Sequence, residues 1–377
     1  MNDFDVIVIG AGMAGMSAAA ELSSRRAKVA VVERESQPGY HTTGRSAALF
    51  SELYGNAVIR GLTRASRDFL FAPPVDFSAT PLVAPRGTLY FAAHDEIDEL
   101  DAFAAGFDPA HRPLRLDAAR TRAEVPVLAE SYVGGALLEA GSADLDVAAL
   151  LQGYAAQCRR QGAQILFDSP VIGLDRAGAV WQVRTPSARL RAPVVVNASG
   201  AWGDEVARLA GVAPVGLVPM RRTALLIDVP DGVPAQRWPA AIHVRETFYF
   251  KPDAGLLLLS PADETPSPPC DAQPDEYDVA LAVDRFETAC GTKVARLRSR
   301  WAGLRSFVAD KAPVVGFEPQ VPGFFWLVGQ GGYGIQTAPA MARAASALVR
   351  GDPLPDDLLA QGVAAAALAP DRAGLRA

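Results

Sequence analysis

Gly10, Gly12 and Gly15 follow the apolar run Val6 to Ile9 in the spacing Gly-x-Gly-x-x-Gly, and Glu33 closes a second apolar run, Val29 to Val32. Together they can hold the pyrophosphate and ribose of an ADP-containing cofactor. Gly10 allows the tight turn, Gly12 lets the backbone approach a pyrophosphate, and Gly15 lets the following helix pack closely on the strand. The helix N-terminus then faces the phosphates, where unpaired N–H groups and the helix dipole favour negative charge. Glu33 lies roughly 20 residues beyond the glycines, as this fingerprint requires, and can accept hydrogen bonds from both ribose hydroxyls while repelling a 2′-phosphate. NADP is therefore disfavoured. The glycine spacing alone is a weak sign, since an ordinary strand, turn and helix can carry it. With both strands, the helix and the terminal acid in place, the cofactor reading is the stronger one.

Such residues need a parallel sheet to position them, and the chain returns to one three times. Asp144 and Asp146 can cap an amphipathic helix that ends near Gln161 and leads through Gly162 into a strand at 164–167. Residues 194–197 form a short buried strand that runs into Ala198-Ser199-Gly200-Ala201-Trp202 and a helix through Leu209. The third return is a strand at 324–328, followed by the glycine-rich stretch Gly329 to Thr337 and an Ala-rich helix to Val349. Between these returns, 88–92, 224–228, 248–250 and 256–259 read as strands of a mainly antiparallel unit. Pro252-Asp253-Ala254-Gly255 is its hairpin turn, because Pro presets φ and Gly tolerates φ > 0. Residues 261–278, rich in Pro and acids, read as a surface loop. The expected class is α/β, with a discontinuous cofactor domain (1–85, 142–220, 306–377) and an inserted substrate domain (86–141, 221–305).

Composition agrees with a large enzyme. The chain has 377 residues, half of them hydrophobic, which is enough for a sizeable core. A net charge of −6 gives no basic footprint for nucleic acid. No apolar stretch reaches the ~20 residues of a membrane span, and the N-terminus carries no signal-like segment, so a cytoplasmic location is expected. The three cysteines are few, odd in number and widely spaced, which argues against a disulfide framework or a metal site. Cys158 sits on the apolar stripe Val147, Leu150, Leu151, Tyr154, Ala155 and reads as core.

The stretches 33–41, Thr43 to Ala48, Val196 to Trp202, Phe248 and Tyr249, Lys251 to Gly255, Trp301 to Asp310 and Gly329 to Thr337 are individually specific and cover nearly the whole chain. In them the sequence resembles the FAD-dependent D-amino-acid dehydrogenases and oxidases, most closely the branch acting on D-arginine. The resemblance implies a glutathione-reductase-like FAD-binding (Rossmann) domain with an inserted, mainly antiparallel α+β substrate domain. FAD would be held non-covalently, its ring between the two. By the same likeness Gly10, Gly12, Met13, Ala14, Gly15, Glu33, Arg34, His41, Thr43, Gly44, Arg45, Ser46, Ala47, Ala48, Val171, Ala198, Gly200 and Trp202 would contact the cofactor. Gly303 and the run Gly329 to Thr337, in particular Gly331, Gly332, Tyr333, Gly334, Ile335, Gln336 and Thr337, would meet the flavin.

The resemblance also assigns a substrate site. An amino acid is gripped by its carboxylate, and a planar guanidinium can hold that group bidentately. Arg222 and Arg305 match the family's arginines for this task, Tyr54 and Tyr249 its substrate tyrosines, and Gly332 stands with them. Strand alternation points Tyr249 to the face opposite Phe248 and Phe250. The implied reaction moves a hydride from Cα to flavin N5. It leaves an imino acid that hydrolyses to a 2-oxo acid and ammonia, with no metal and no side-chain nucleophile. The electron acceptor, whether a quinone, a dye or O2, is left open. Of the four histidines, His41 is assigned to the cofactor region, while His94, His111 and His243 follow no ligand spacing.

The departures from the D-arginine branch fall in the pocket expected of Leu49, Ser51, Thr88, Ala240, Ile242 and Ile335. That branch has a glutamate where this chain has Thr88, and a histidine where it has Leu49. Without a carboxylate partner, taking a cationic side chain out of water costs several kcal/mol. Neutral, hydrophobic D-amino acids are therefore expected to be preferred over D-arginine. The alternatives are another amine oxidoreductase of the same fold, acting on glycine, sarcosine or a cyclic imino acid, and a non-catalytic flavin-binding protein.

Overall fold

The computed structural model describes residues 2–108, 111–230 and 234–376. Val6–Ile9 and Val29–Val32 are buried along their whole length, as β-branched strands covered on both faces must be. They pair in parallel at the centre of a six-stranded sheet. Its order is Gln164–Leu166, Val29–Val32, Val6–Ile9, Val194–Asn197, Phe324–Val328, Val314–Phe317, and only the last strand is antiparallel. Helices Met13–Ser24, Val147–Arg160 and Ala338–Val349 cover one face, where Met16, Ala19, Leu151, Cys158, Met341 and Ala345 share a core. On the other face lies a small sheet built around Trp181. Asp146 caps the helix Val147–Arg160 by accepting from the Ala149 N–H. Asp144 is not a cap. It lies in the strand Ala143–Leu145 and pairs with Arg86 and Lys251.

A second sheet of nine strands stands beside the first. Val218–Ile227 pairs with Leu297–Phe307 along nearly its whole length, and on its other side with Leu256–Ser260 and Thr265–Pro266. The sheet continues through Tyr249–Asp253, Ala240–His243, Thr88–Ala93, Val133–Glu139 and Leu114–Asp117. Every pairing is antiparallel except Ala240–His243 on Thr88–Ala93. Phe91, Phe248, Phe250 and Phe286 fill the core beneath it.

Two local expectations change. The hairpin register pairs Asp253 with Leu256, so the tip is Ala254-Gly255, at φ 47° and 84°, while Pro252 lies in the strand opposite Leu257. A two-residue turn with both φ values positive matches the right-handed strand twist, and that requirement sets the corner. The acidic loop ends at Asp275, which caps a helix, Glu276–Cys290, that the sequence pattern does not announce. Among the described residues no helix is long and apolar enough to cross a membrane.

Candidate active site

Three cavities are joined in a row by shared lining residues. The first, about 1000 Å3, opens at the C-terminal ends of Val6–Ile9 and Val29–Val32. Its walls include Gly10, Gly12, Glu33, Arg34, His41, Thr43, Val171, Ala198, Gly200 and Trp202. Gly10 has φ 106°, and a Cβ there would lie 2.6 Å from the Ala198 carbonyl oxygen, so only glycine fits. The helix Met13–Ser24 begins at Gly12, which has no side chain to cap it, and carries no acid in its first turn. Thr43 Oγ1 takes the Met13 N–H at 3.0 Å, and the helix dipole at this end still favours a pyrophosphate. Glu33 accepts from the Ala11 N–H at 2.6 Å and the Glu35 N–H at 3.0 Å, which fixes the carboxylate and leaves lone pairs for ribose hydroxyls. Trp202 lies against His41, ring centroids 4.6 Å apart, and under the Arg34 guanidinium at 4.9 Å. His41 Nδ1 is buried without a protein partner, as a group awaiting a ligand would be.

The second cavity, about 940 Å3, shares Gly12, Thr43, Ala198 and Gly200 with the first and runs past Met13, Ala14, Arg45, Ser46, Ala47, Gly303, Gly331, Gly332, Gly334 and Ile335. Ser306 and Gln330 also line it, and Ser306 Oγ and Gln330 Nε2 are buried with no protein partner. An elongated cleft with a glycine-lined phosphate turn at one end and orphaned polar atoms along its walls fits FAD. Gln330 falls in the run Gly329 to Thr337 expected at the flavin, whereas Ser306 was not singled out by sequence, although it lies in a stretch that carries the family likeness. Arg45 borders this cleft with its guanidinium turned away, bonded to the carbonyls of Ala272 and Ala302 at 2.9 Å each and paired with Asp271.

The third cavity, about 680 Å3, brings together residues expected from the sequence at a substrate or at the flavin: Leu49, Ser51, Tyr54, Arg222, Ile242, Tyr249, Arg305, Gly332, Ile335 and Gln336. Arg222, Tyr249, Arg305 and Gly332 line both this cavity and the second, and so stand at the junction. Arg305 Nη1 donates to Tyr54 Oη at 2.9 Å. Arg222 donates from Nε to the Asp263 carbonyl at 2.8 Å and from Nη2 to Glu264 at 3.1 Å. Tyr90, Glu246 and Ala262, none of them foreseen, complete the wall. Glu246 sits in a tight turn at φ 51°, and burial pushes its carboxyl up while Arg222 and Arg305 draw it back.

Several expected residues stand elsewhere. Thr88 and Ala240 are buried neighbours on parallel strands and do not line this cavity; the Thr88 hydroxyl accepts from Ser142 Oγ at 2.8 Å. Tyr333 lines an outer vestibule with Tyr54, their ring centroids 4.8 Å apart. Gly15 and Gly44 are packing positions, where a Cβ would meet the carbonyl oxygens of Gly10 at 1.9 Å and Gly39 at 2.6 Å. Thr337 is buried and bonds back to the Tyr333 carbonyl, while Gln336 ties Ser51 N–H to Thr63 Oγ1. Ala48, at φ 25°, turns the chain beside the substrate cavity. His243 is buried against Glu96 at 2.8 Å.

A family model described as FAD dependent oxidoreductase, DAO, matches residues 5–348. The bifunctional protein MnmC of tRNA 5-methylaminomethyl-2-thiouridine biosynthesis in Burkholderia multivorans is 28% identical over 93% of this chain. The chain spans 56% of that relative's length. The uncharacterized oxidoreductase YurR of Bacillus subtilis is 23% identical, over 92% of this chain and 94% of its own. Glycine oxidase from Geobacillus kaustophilus has the same fold, with a TM-score of 0.81 at 21% identity over 93% of this chain and 96% of its own. Iminodiacetate oxidase from Chelativorans sp. BNC1 follows at 0.75 and 19%, over 93% and 96%.

Proposed function

The chain belongs to the DAO family of FAD-dependent oxidoreductases, and from that premise we propose that it oxidises the Cα–N bond of D-amino acids with neutral side chains. The observation that carries the proposal is the shared wall: Arg222, Tyr249, Arg305 and Gly332 border both the flavin cleft and the substrate cavity. A carboxylate held there places its own Cα at the junction.

FAD bound in the cleft supplies the two-electron acceptor for the oxidation. The protein's part is orientation. Arg305, steadied by Tyr54, presents its remaining donors to the carboxylate, each charge-assisted bond contributing about 1.5–3 kcal/mol. Arg222 keeps three of its five N–H donors after serving Asp263 and Glu264. Held at two points, the substrate has one face of Cα toward the cleft, and effective molarity replaces random encounter. Leu49, Ile242 and Ile335 make part of the cavity wall apolar, and Glu246 answers the two arginines, so a neutral side chain loses least on leaving water.

Anaerobic mixing of the yellow holoprotein with single D- and L-amino acids, glycine, sarcosine and iminodiacetate tests this reading by loss of the flavin absorbance band. Fast bleaching by neutral D-amino acids and slow bleaching by D-arginine is the expected outcome. Bleaching by glycine, sarcosine or iminodiacetate alone would move the substrate class, and no bleaching by any amine would end the enzymatic reading.

A further inference from the structure

Thr88 has no carboxylate, but its register partner Glu139 on the antiparallel neighbour does. Register partners point to the same face of a sheet, and Tyr90, two residues beyond Thr88, shares it. From Glu139 a row of hydrogen bonds reaches the substrate cavity. Ser51 Oγ donates to Glu139 Oε2 at 2.6 Å, the Glu52 N–H donates to Oε1 at 2.7 Å, and Tyr90 Oη lies 3.2 Å from Ser51 Oγ. Ser51 and Tyr90 are almost wholly buried yet line the cavity, and Ser51 is pinned through its own N–H to Gln336. The charged and titratable groups around the row are few. Glu52, held by Arg67 at 2.9 Å, faces Glu139 from the same loop, and Glu246 and Tyr54 act on Tyr90 from across the cavity.

We propose that Glu139, acting through Ser51 and Tyr90, is a positioning residue that sets the hydrogen-bond polarity of the substrate side-chain subsite. It fits that subsite to a neutral side chain carrying a single N–H or O–H donor. The inference rests on the oxidation reading above. An ionised Glu139 can only accept, so Ser51 gives it its one proton and Tyr90 gives its own to Ser51. The Tyr90 oxygen then faces the cavity with lone pairs alone. A protonated Glu139 reverses the row: it donates to Ser51, Ser51 donates to Tyr90, and the Tyr90 O–H turns to the cavity. Burial pushes the Glu139 carboxyl up to about 7, so the reversal falls near neutral pH, and burial holds Tyr90 protonated throughout.

The test compares D-tryptophan, whose indole offers a donor only, with 3-benzothienyl-D-alanine, which has the same shape and a sulfur in place of the N–H. Anaerobic flavin reduction gives the apparent Kd of each from pH 6 to 8.5 in the wild-type holoprotein. D-tryptophan should be favoured by about threefold to tenfold at the alkaline end, the worth of one hydrogen bond, and the preference should fade toward pH 6. E139Q turns its amide N–H2 to Ser51 and imitates the protonated row, so it should show no preference for D-tryptophan at any pH. S51A and Y90F should flatten the pH course as well. A wild-type preference that does not change with pH, or an E139Q protein that keeps the wild-type course, would overturn the proposal. If neither amino acid reduces the flavin, the oxidation reading is decided separately by the amine panel above. The row is then read by infrared spectroscopy of the holoprotein: a carboxylic-acid C=O band that titrates near neutrality and vanishes in E139Q supports it, and absence of such a band, or its survival in E139Q, overturns it.

Discussion

At the scale of single residues, the carboxylate clamp proposed at Arg305 depends on the space beside its guanidinium. A Cβ on Gly332 would lie 2.7 Å from Arg305 Nη1, closer than such atoms approach, so Gly332→Ala must push the guanidinium aside. The cleft would still hold flavin, because the clash is with a side chain and not with the phosphate turn. Gly332→Ala should therefore raise KM about tenfold or more with FAD content unchanged; equal KM for both proteins would deny Arg305 the carboxylate role. Arg305→Lys replaces a planar fork by a point charge and loses the bond to Tyr54. A fall in kcat/KM of about 10- to 100-fold is expected from losing one charge-assisted bond. Were the loss confined to flavin binding, Arg305 would belong to the cofactor and not to the substrate.

At the scale of elements, the phosphate turn was legible because its demands are local. Gly10 needs φ 106° and room beside Ala198, and both follow from a strand, a tight turn and a helix contiguous in sequence. Gly10→Ala should yield a folded protein that purifies without its yellow colour; full FAD occupancy would contradict that steric argument. Tyr249 was legible for the same reason, since alternation between Phe248 and Phe250 is a property of three adjacent residues. The pocket wall was not. That Tyr90 lines the cavity while Thr88, two residues earlier on the same face, is covered by Ser142 depends on the pairing of Thr88–Ala93 with Ala240–His243 and Val133–Glu139, segments far apart in sequence. Glu246 escaped notice because it stands in a turn, where no periodicity marks a residue. The hairpin shows the same limit at its tip. Ala254, at φ 47°, pays the αL cost of a residue with a Cβ, about 1 kcal/mol. Ala254→Asn gives the Asn-Gly pair that such turns prefer and should raise Tm; an unchanged or lower Tm would show that this strain is relieved elsewhere.

At the scale of the whole molecule, the question is what holds the C-terminal tail and the loop before the last sheet strand together. The tail is docked: Val363, Leu368 and Leu375 are buried. Arg372 grips Asp310 with two bonds, at 2.7 and 2.9 Å, and donates as well to the carbonyls of Ala312, Pro313 and Ala369. Residues 309–311 border the outer vestibule, so the same grip fixes one side of the approach to the substrate cavity. Arg372→Ala removes a fork and leaves three carbonyls to find other donors, which should cost about 1–3 kcal/mol and lower Tm measurably. The effect carries its own pH signature. The bond to Arg372 holds the Asp310 carboxyl below its usual range. A group with a depressed folded pKa contributes stability above its unfolded value, about 3.9 for Asp, and loses it as pH falls through the folded value. The gap in Tm between wild type and Arg372→Ala should therefore hold steady from pH 7 down to about 4 and narrow below that, as wild type gives up an advantage the variant never had. A gap that stays constant to pH 3 would mean that Arg372 supports the tail through its carbonyl bonds alone, with Asp310 a bystander.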